Sequence, residues 1–65
     1  MKFMLEVDID QGAVKDHTAD ELGRILRYWA GNLKHYRLDD GDSEVIYDSA
    51  YAPVGSWRVT EAPSA

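Results

Sequence analysis

The sequence predicts an α+β domain of order β-α-β-β, in which one helix packs on a three-stranded sheet. Three observations indicate this fold. Apolar and polar residues alternate over residues 3–9, apolar residues recur with helical spacing over residues 18–36, and the short stretches 45–47 and 57–60 have strand character. Because the helical stripe and the apolar strand faces must all be hidden from water, we expect them to pack on one another.

The first strand is predicted over residues 3–9. Its alternating pattern is typical of a strand with one buried face. The apolar residues of this pattern are Phe3, Leu5, Val7 and Ile9. Gln11-Gly12 then interrupts the alternation, and residues 10–17 follow neither a strand nor a helix period, so we predict a loop there.

The helix is predicted to begin at Thr18 and to end near Tyr36 or Arg37. Residues 18–21, Thr-Ala-Asp-Glu, fit a capping box, in which the Thr18 hydroxyl and the Glu21 carboxylate accept hydrogen bonds from backbone N–H groups of the first turn. Gly31 weakens a helix by about 1 kcal/mol relative to alanine, but the apolar stripe continues beyond it. The stripe consists of Leu22, Ile25, Leu26, Trp29, Leu33 and Tyr36.

The last two strands are predicted at residues 45–47 and 57–60, which are rich in β-branched and aromatic residues. The intervening segment, Ser49 to Gly55, contains Pro53 and is predicted to be a loop between antiparallel strands. We expect the helical stripe to pack on the apolar faces of the first and last strands. Residues 1–61 are then one domain, and residues 62–65 a frayed tail.

Length and composition exclude several classes of protein. The chain has 65 residues, a net charge of −5 and no cysteine, which rules out a disulfide scaffold, a thiol nucleophile and cysteine-ligated zinc. Its apolar runs are far shorter than the roughly 18 residues of a membrane helix, and its start has no signal-peptide pattern, so we expect a cytoplasmic protein. Because so short a chain buries only about 60 % of its unfolded surface, we predict a homodimer.

No catalytic or metal-binding pattern is complete. The serine and threonine hydroxyls lie in no motif that would activate them as nucleophiles. Two acidic segments, which begin at Asp8 and Asp40, space their carboxylates as calcium loops do, but both lack the glycine and the final glutamate of an EF-hand. We therefore predict a protein that is not an enzyme and that has no cofactor and no metal.

Two surfaces are predicted to bind a protein partner. One is the helix face opposite the apolar stripe, with Arg24, Arg27 and Tyr28. The other is the apolar loop around Tyr51 and Pro53, because these two residues have no evident place in the core. Tyrosine and arginine are the residue types that most often dominate the binding energy of interfaces.

Nucleic acid is the alternative partner. The outer face of the helix also carries Lys34 and His35, and basic groups beside aromatic rings can bind phosphates and stack on bases. Asp20 and Glu21, however, are placed to pair with Arg24 along the helix, and the acidic chain repels nucleic acid at long range. We therefore expect a protein partner and not nucleic acid. The acidic residues 39–48 are either a solvated surface or a contact for a basic partner.

Three stretches resemble small uncharacterised proteins encoded by actinobacterial phages. They are Val-Asp-Ile-Asp at residues 7–10, Glu-Leu-Gly-Arg-Ile-Leu-Arg at residues 21–27, and the Val-Gly-x-Trp ending at residues 54–57. The resemblance covers nearly the whole chain, although Ala-Tyr-Ala-Pro at residues 50–53 replaces the Asn-Gly-Asn turn that is usual in those proteins. It implies a phage accessory protein that acts inside a bacterial cell, and it implies no activity and no site residue.

Overall fold

The computed structural model describes residues 1–61, and it confirms the α+β fold, with one main helix on a three-stranded antiparallel sheet. The tail predicted over residues 62–65 lies outside the described residues. No helix within the described range is both long enough and apolar enough to cross a bilayer. In chain order the elements are β1 (Lys2–Val7), α1 (Gly12–Asp16), α2 (Thr18–Asn32), a 3-10 turn (Leu33–His35), β2 (Ser43–Tyr47) and β3 (Pro53–Thr60).

The last strand, β3, is the centre of the sheet. It pairs antiparallel with both other strands, in the order β1-β3-β2, so β1 and β2 are the two edges. Trp57 of β3 lies opposite Leu5 on one side and Glu44 on the other. The register between β2 and β3 shifts between Ile46 and Tyr47, and this bulge allows both Val54 and Trp57 to be buried although an alternating strand would place them on opposite faces.

The core lies between α2 and the sheet and has aromatic rings at its centre. Ile25 and Trp29 of α2 pack with Trp57 and Val59 of β3, as predicted, and Trp29 meets Trp57 edge to face with 5.5 Å between ring centroids. Phe3 packs on Trp57 with 5.6 Å between ring centroids, although 45 % of its surface stays exposed. The remaining buried apolar residues are Val14, Ile46 and Val54, and the half-buried ones packed on them are Leu5, Val7, Leu22, Leu33, Tyr36 and Leu38.

The prediction of a loop over residues 10–17 is wrong, because α1 occupies most of this segment. Val14 anchors α1 in the core with no exposed surface, and Ala13 N at the start of α1 donates a 3.1 Å hydrogen bond to Oδ2 of Asp48. A residue 35 positions away therefore holds this short helix, and no local pattern reveals such a contact. Ile9 is half-exposed and outside β1, because the Asp8 carboxylate accepts a hydrogen bond from Asp10 N and turns the chain.

The main helix begins at Thr18 as predicted, but the capping box is wrong. The Thr18 hydroxyl donates a 2.7 Å hydrogen bond to the carbonyl of Val14, and the Glu21 carboxylate accepts one from Ser49 N at 3.0 Å. Only His17 separates α1 from α2, so the Thr18 hydroxyl meets the carbonyl groups at the end of α1. A tertiary contact thus replaces the local cap.

The far end of α2 changes its hydrogen bonding before the predicted end. The α-helix stops at Asn32, and the 3-10 turn carries the chain on to His35. Asn32 Nδ2 donates a 2.6 Å hydrogen bond to the carbonyl of Tyr28, which a regular helix would offer to the backbone N–H of residue 32. This competition, next to Gly31, gives a physical reason for the tighter last turn.

The predicted loop from Ser49 to Gly55 is shorter than expected, because Pro53 is the first residue of β3 and pairs with Tyr47. Proline is tolerated at the first position of a strand. Asp48 closes the connection by accepting hydrogen bonds from Ala50 N and Ala52 N, both at 2.9 Å. Within this segment Tyr51 alone carries a large exposed side chain, whereas Val54 belongs to the core.

Candidate functional site

A groove of about 520 Å³ lies between α2 and β2. We call it the tyrosine groove, because all four tyrosines of the chain line it. Ile25 and Trp29 are buried and form its floor, and the other lining residues form its walls and ends. These are Arg24, Tyr28, Tyr36, Glu44, Val45, Tyr47, Asp48 and Tyr51.

The helix α2 supplies one wall of the groove. Arg24 and Tyr28 are four residues apart and therefore lie on the same side of the helix, one turn from each other. The Tyr28 ring packs at a right angle against Trp29, with 5.1 Å between centroids, while more than half of its surface stays exposed. The buried Trp29 thus holds an exposed aromatic ring in a fixed place.

The strand β2 supplies the other wall, and its outer edge carries no further strand of this chain within residues 1–61. The carbonyl of Asp42 accepts from Val59 N and so points toward β3. Because backbone groups alternate in direction along a strand, those of Ser43, Val45 and Tyr47 point away from β3. Of the described side chains only Arg24 bonds to this edge, by donating to the carbonyl of Tyr47 at 3.0 Å. Ser43 and Val45 therefore form an open edge.

The cation of the groove, Arg24, is already engaged. Its guanidinium lies 3.5 Å from the Glu21 carboxylate and also donates to the Tyr47 carbonyl. Glu21 is buried and also accepts a hydrogen bond from Ser49 N. Arg24 therefore ties α2 to the end of β2 through Nη2, whereas its buried Nε has no hydrogen-bond partner within residues 1–61.

The opposite end of the groove carries a carboxylate. Tyr36 donates its phenol hydrogen to Oε2 of Glu44 at 3.1 Å. Burial of the ring, and secondarily the bond to Glu44, raise the pKa of Tyr36, so the phenol remains a donor at neutral pH. Within residues 1–61 no lysine or arginine forms an ion pair with Glu44. This end of the groove is thus negative and only partly satisfied.

Tyr51 stands at the border of the groove in a strained conformation. Its side chain is 85 % exposed and its φ angle is +63°, a region that bulky residues rarely adopt. The Asp48 carboxylate imposes this geometry by binding the backbone on both sides of Tyr51, and the bonds from Ala52, Ala13 and Ala50 lower the pKa of Asp48. The fold thus holds a large exposed ring at a position where glycine would be less strained.

The structure joins parts of the two predicted surfaces. Arg24 and Tyr28 from the helix face meet Tyr51 from the loop in one groove, whereas Arg27 and Pro53 are exposed but do not line it. Whether these two residues bind a partner stays a prediction.

Apart from the two floor residues, five groove residues were not among the predicted site residues: Tyr36, Glu44, Val45, Tyr47 and Asp48. Tyr36 packs on Trp57 as a member of the predicted core stripe, and its hydroxyl also faces Glu44. Glu44 and Asp48 belong to the acidic stretch over residues 39–48. The β-prone run at residues 45–47 predicted the strand, but nothing in the sequence shows that this strand is an edge of the sheet.

Neither a metal-binding cluster within residues 1–61 nor a match to a known protein helps to assign a function to the groove. Histidine, aspartate and glutamate side chains within residues 1–61 do not gather in groups of three that could hold a metal ion. No family model, no curated protein and no solved structure matches the chain.

Proposed function

We propose that the protein acts by binding an extended segment of a protein partner, which adds to the sheet as a strand along the free edge of β2. The observation that carries this proposal is the open edge at Ser43 and Val45, which lies between the four tyrosines of the chain. Strand addition obtains affinity from backbone hydrogen bonds and specificity from pockets for alternate side chains.

The side chains of the groove suit this mode of binding. Tyrosine offers a large, rigid contact area and loses little conformational entropy when it binds. Val45, which is 44 % exposed, and Tyr47 add apolar surface on the face of β2 that points away from α2. Most proteins protect an edge strand with charges, prolines or a covering element. Here Arg24 bonds to the Tyr47 carbonyl, and no other described side chain bonds to the backbone groups that point outward from β2. The rest of the edge is therefore free to pair with another strand.

We also propose that this binding is not accompanied by catalysis. Two polar groups of the groove are already bound within the fold: Arg24 pairs with Glu21, and Tyr36 donates a hydrogen bond to Glu44. The Tyr36 hydroxyl lies beside the Glu44 carboxylate, but the raised pKa of Tyr36 disfavours the phenolate that nucleophilic attack needs. On the resemblance of the sequence to actinobacterial phage proteins, we propose an accessory protein that works in the cytoplasm of the bacterial host.

Nucleic acid is the weaker proposal for the same groove. The tyrosine rings could stack on bases, but phosphate binding requires free cations. Arg24 is engaged with Glu21, the opposite end carries Glu44, and the chain has a net charge of −5. These charges favour a protein segment.

A selection from a random dodecapeptide library on the immobilised protein tests the proposal, followed by affinity measurements on synthesised peptides by fluorescence anisotropy. Val45→Pro removes an N–H that points away from β3, so it blocks strand addition while the bonds between β2 and β3 remain. Val45→Thr is the matched control, because it keeps the N–H. We expect Val45→Pro to lose about tenfold or more in affinity, which corresponds to about 1.4 kcal/mol, and Val45→Thr to lose far less. Equal affinity for the two variants contradicts the proposal.

A further inference from the structure

We infer that the segment bound at the β2 edge carries a lysine or arginine whose side chain lies against Glu44. This inference rests on the proposed function, and it names the chemistry of the partner. Its basis is the direction of the Glu44 side chain, the balance of charges in the groove and the aromatic rings around it.

The register of the sheet fixes the direction of Glu44. Glu44 lies opposite Trp57, which is buried against α2, so the Glu44 side chain is on the helix-facing side of the sheet. In a strand added along β2, the residue opposite Glu44 would place its side chain on this same side. That side chain enters the tyrosine groove.

The balance of charges selects a cation. Three charged residues line the groove, and two of them have partners within the fold. Arg24 pairs with Glu21, although its buried Nε has no hydrogen-bond partner within residues 1–61, and Asp48 accepts from three backbone N–H groups while only 3 % exposed. Glu44 has no ion-pair partner within residues 1–61. The acidic residues 39–42 directly precede β2, and of these Asp39 pairs with Arg37 at 3.2 Å. The free charge at this end is negative.

The rings around Glu44 strengthen the preference. Tyr36 donates to Oε2 of Glu44, which orients the carboxylate and leaves Oε1 to accept from a ligand. Tyr28, Tyr36 and Trp29 line the same groove, and the faces of such rings attract lysine and arginine side chains. A second copy of this acidic chain, or a nucleic acid, would bring negative charge to Glu44 instead.

The test is a peptide-library selection on four proteins: the wild type, Glu44→Gln, Glu44→Lys, and the control Asp16→Lys, which makes the same charge change on exposed α1 outside the groove. We expect lysine or arginine to be enriched, in alternation with other residues, on the wild type and on Asp16→Lys. Glu44→Gln should lose the enrichment, and Glu44→Lys should select aspartate or glutamate. A synthesised wild-type-selected peptide should bind Glu44→Gln about fivefold more weakly.

The outcomes separate this inference from the proposed function. The inference is overturned if the selected peptides show no preference for lysine or arginine, or if this preference is unchanged on Glu44→Lys. If those peptides still lose affinity for Val45→Pro, strand addition stands. Peptides that bind Val45→Pro and Val45→Thr equally overturn strand addition itself. A wild-type dimer that Val45→Pro dissociates means that a second copy fills the edge, and it also overturns the inference. If Glu44→Lys does not fold, as judged by circular dichroism, Glu44→Gln decides the question.

Discussion

Oδ2 of Asp48 occupies the space that a Cβ atom at position 12 would need, so Gly12 and Asp48 fit together only because residue 12 has no side chain. The same carboxylate oxygen accepts the hydrogen bond from Ala13 N, and the other oxygen holds the loop that presents Tyr51. One buried side chain thus fixes both the short helix α1 and the end of the tyrosine groove.

Gly12→Ala should destabilise the fold. The φ angle of Gly12 is +62°, and a residue other than glycine in this region loses about 1–2 kcal/mol, to which the displacement of Asp48 adds. Gly31→Ala is the matched control, because no atom lies within 4 Å of a Cβ there and the position is helical. It should stabilise the protein by about 0.5–1 kcal/mol. Urea unfolding measures both, and similar changes in the two variants would contradict the Gly12–Asp48 contact.

The stability should depend on Asp48 in acid. Its hydrogen bonds lower the pKa from the ordinary value of 3.8, so the unfolded chain takes up this proton before the folded one does. The stabilisation is therefore present above pH 3.8 and is lost as the pH falls through the lowered pKa of the folded state. Asp48→Asn should be less stable at pH 7, because an amide has a single acceptor oxygen, whereas Asp48 accepts hydrogen bonds at both of its carboxylate oxygens.

The difference in stability between the wild type and Asp48→Asn isolates this group from the other carboxylates. It should shrink as the pH is lowered from 5 to about 2, as measured by thermal unfolding at each pH. A difference that is constant over this range would show that Asp48 keeps its ordinary pKa in the folded state.

Two adjacent residues of α2 allow the packing of this helix on the core to be tested. Ile25 is 2 % exposed and Leu26 is 53 % exposed, although both belong to the apolar stripe of the sequence. Ile25→Ala should lose about 2–5 kcal/mol of unfolding free energy, because it leaves a cavity. Leu26→Ala should change it by less than about 0.5 kcal/mol. Comparable losses in the two variants would mean that the helix is rotated from the position described.

This pair also shows what the sequence can predict. The stripe identifies the helix, and alternation together with β-prone residues identifies the strands, because these patterns are local. The stripe does not separate Ile25 from Leu26, since that depends on the width of the sheet beneath. In the same way, α1 and the start of β3 depend on the distant contacts of Asp48, and the groove depends on β2 being an edge. The exposure of Tyr51 was predictable because its loop position excluded it from the core.

The homodimer suggested by the short chain stays a prediction. Sedimentation equilibrium at high concentration should then show a species heavier than the 7.3 kDa chain. Because we assign the β2 edge to a cationic segment, the Val45→Pro variant should sediment like the wild type. A chain that remains at 7.3 kDa would contradict the homodimer.

Tyr51 allows folding and binding to be separated in one position. Tyr51→Gly removes the ring and relieves the positive φ, so the fold should be unchanged or more stable by up to about 1 kcal/mol, the entropy of glycine in the unfolded chain offsetting part of the gain. Tyr51→Ala removes the same ring but keeps the strain, and its stability should stay within about 0.5 kcal/mol of the wild type. Both variants should bind a library-selected peptide about fivefold more weakly or worse, as for the loss of an aromatic interface residue.

The comparison matters because a ring that packs on the protein would make both variants less stable, with Tyr51→Gly no better than Tyr51→Ala. Stable variants with undiminished affinity would instead remove Tyr51 from the site and leave Tyr28 and Glu44 as its determinants. If the strained conformation of Tyr51 serves the binding of a partner, Tyr51→Gly should be more stable than the wild type and should bind the peptide more weakly.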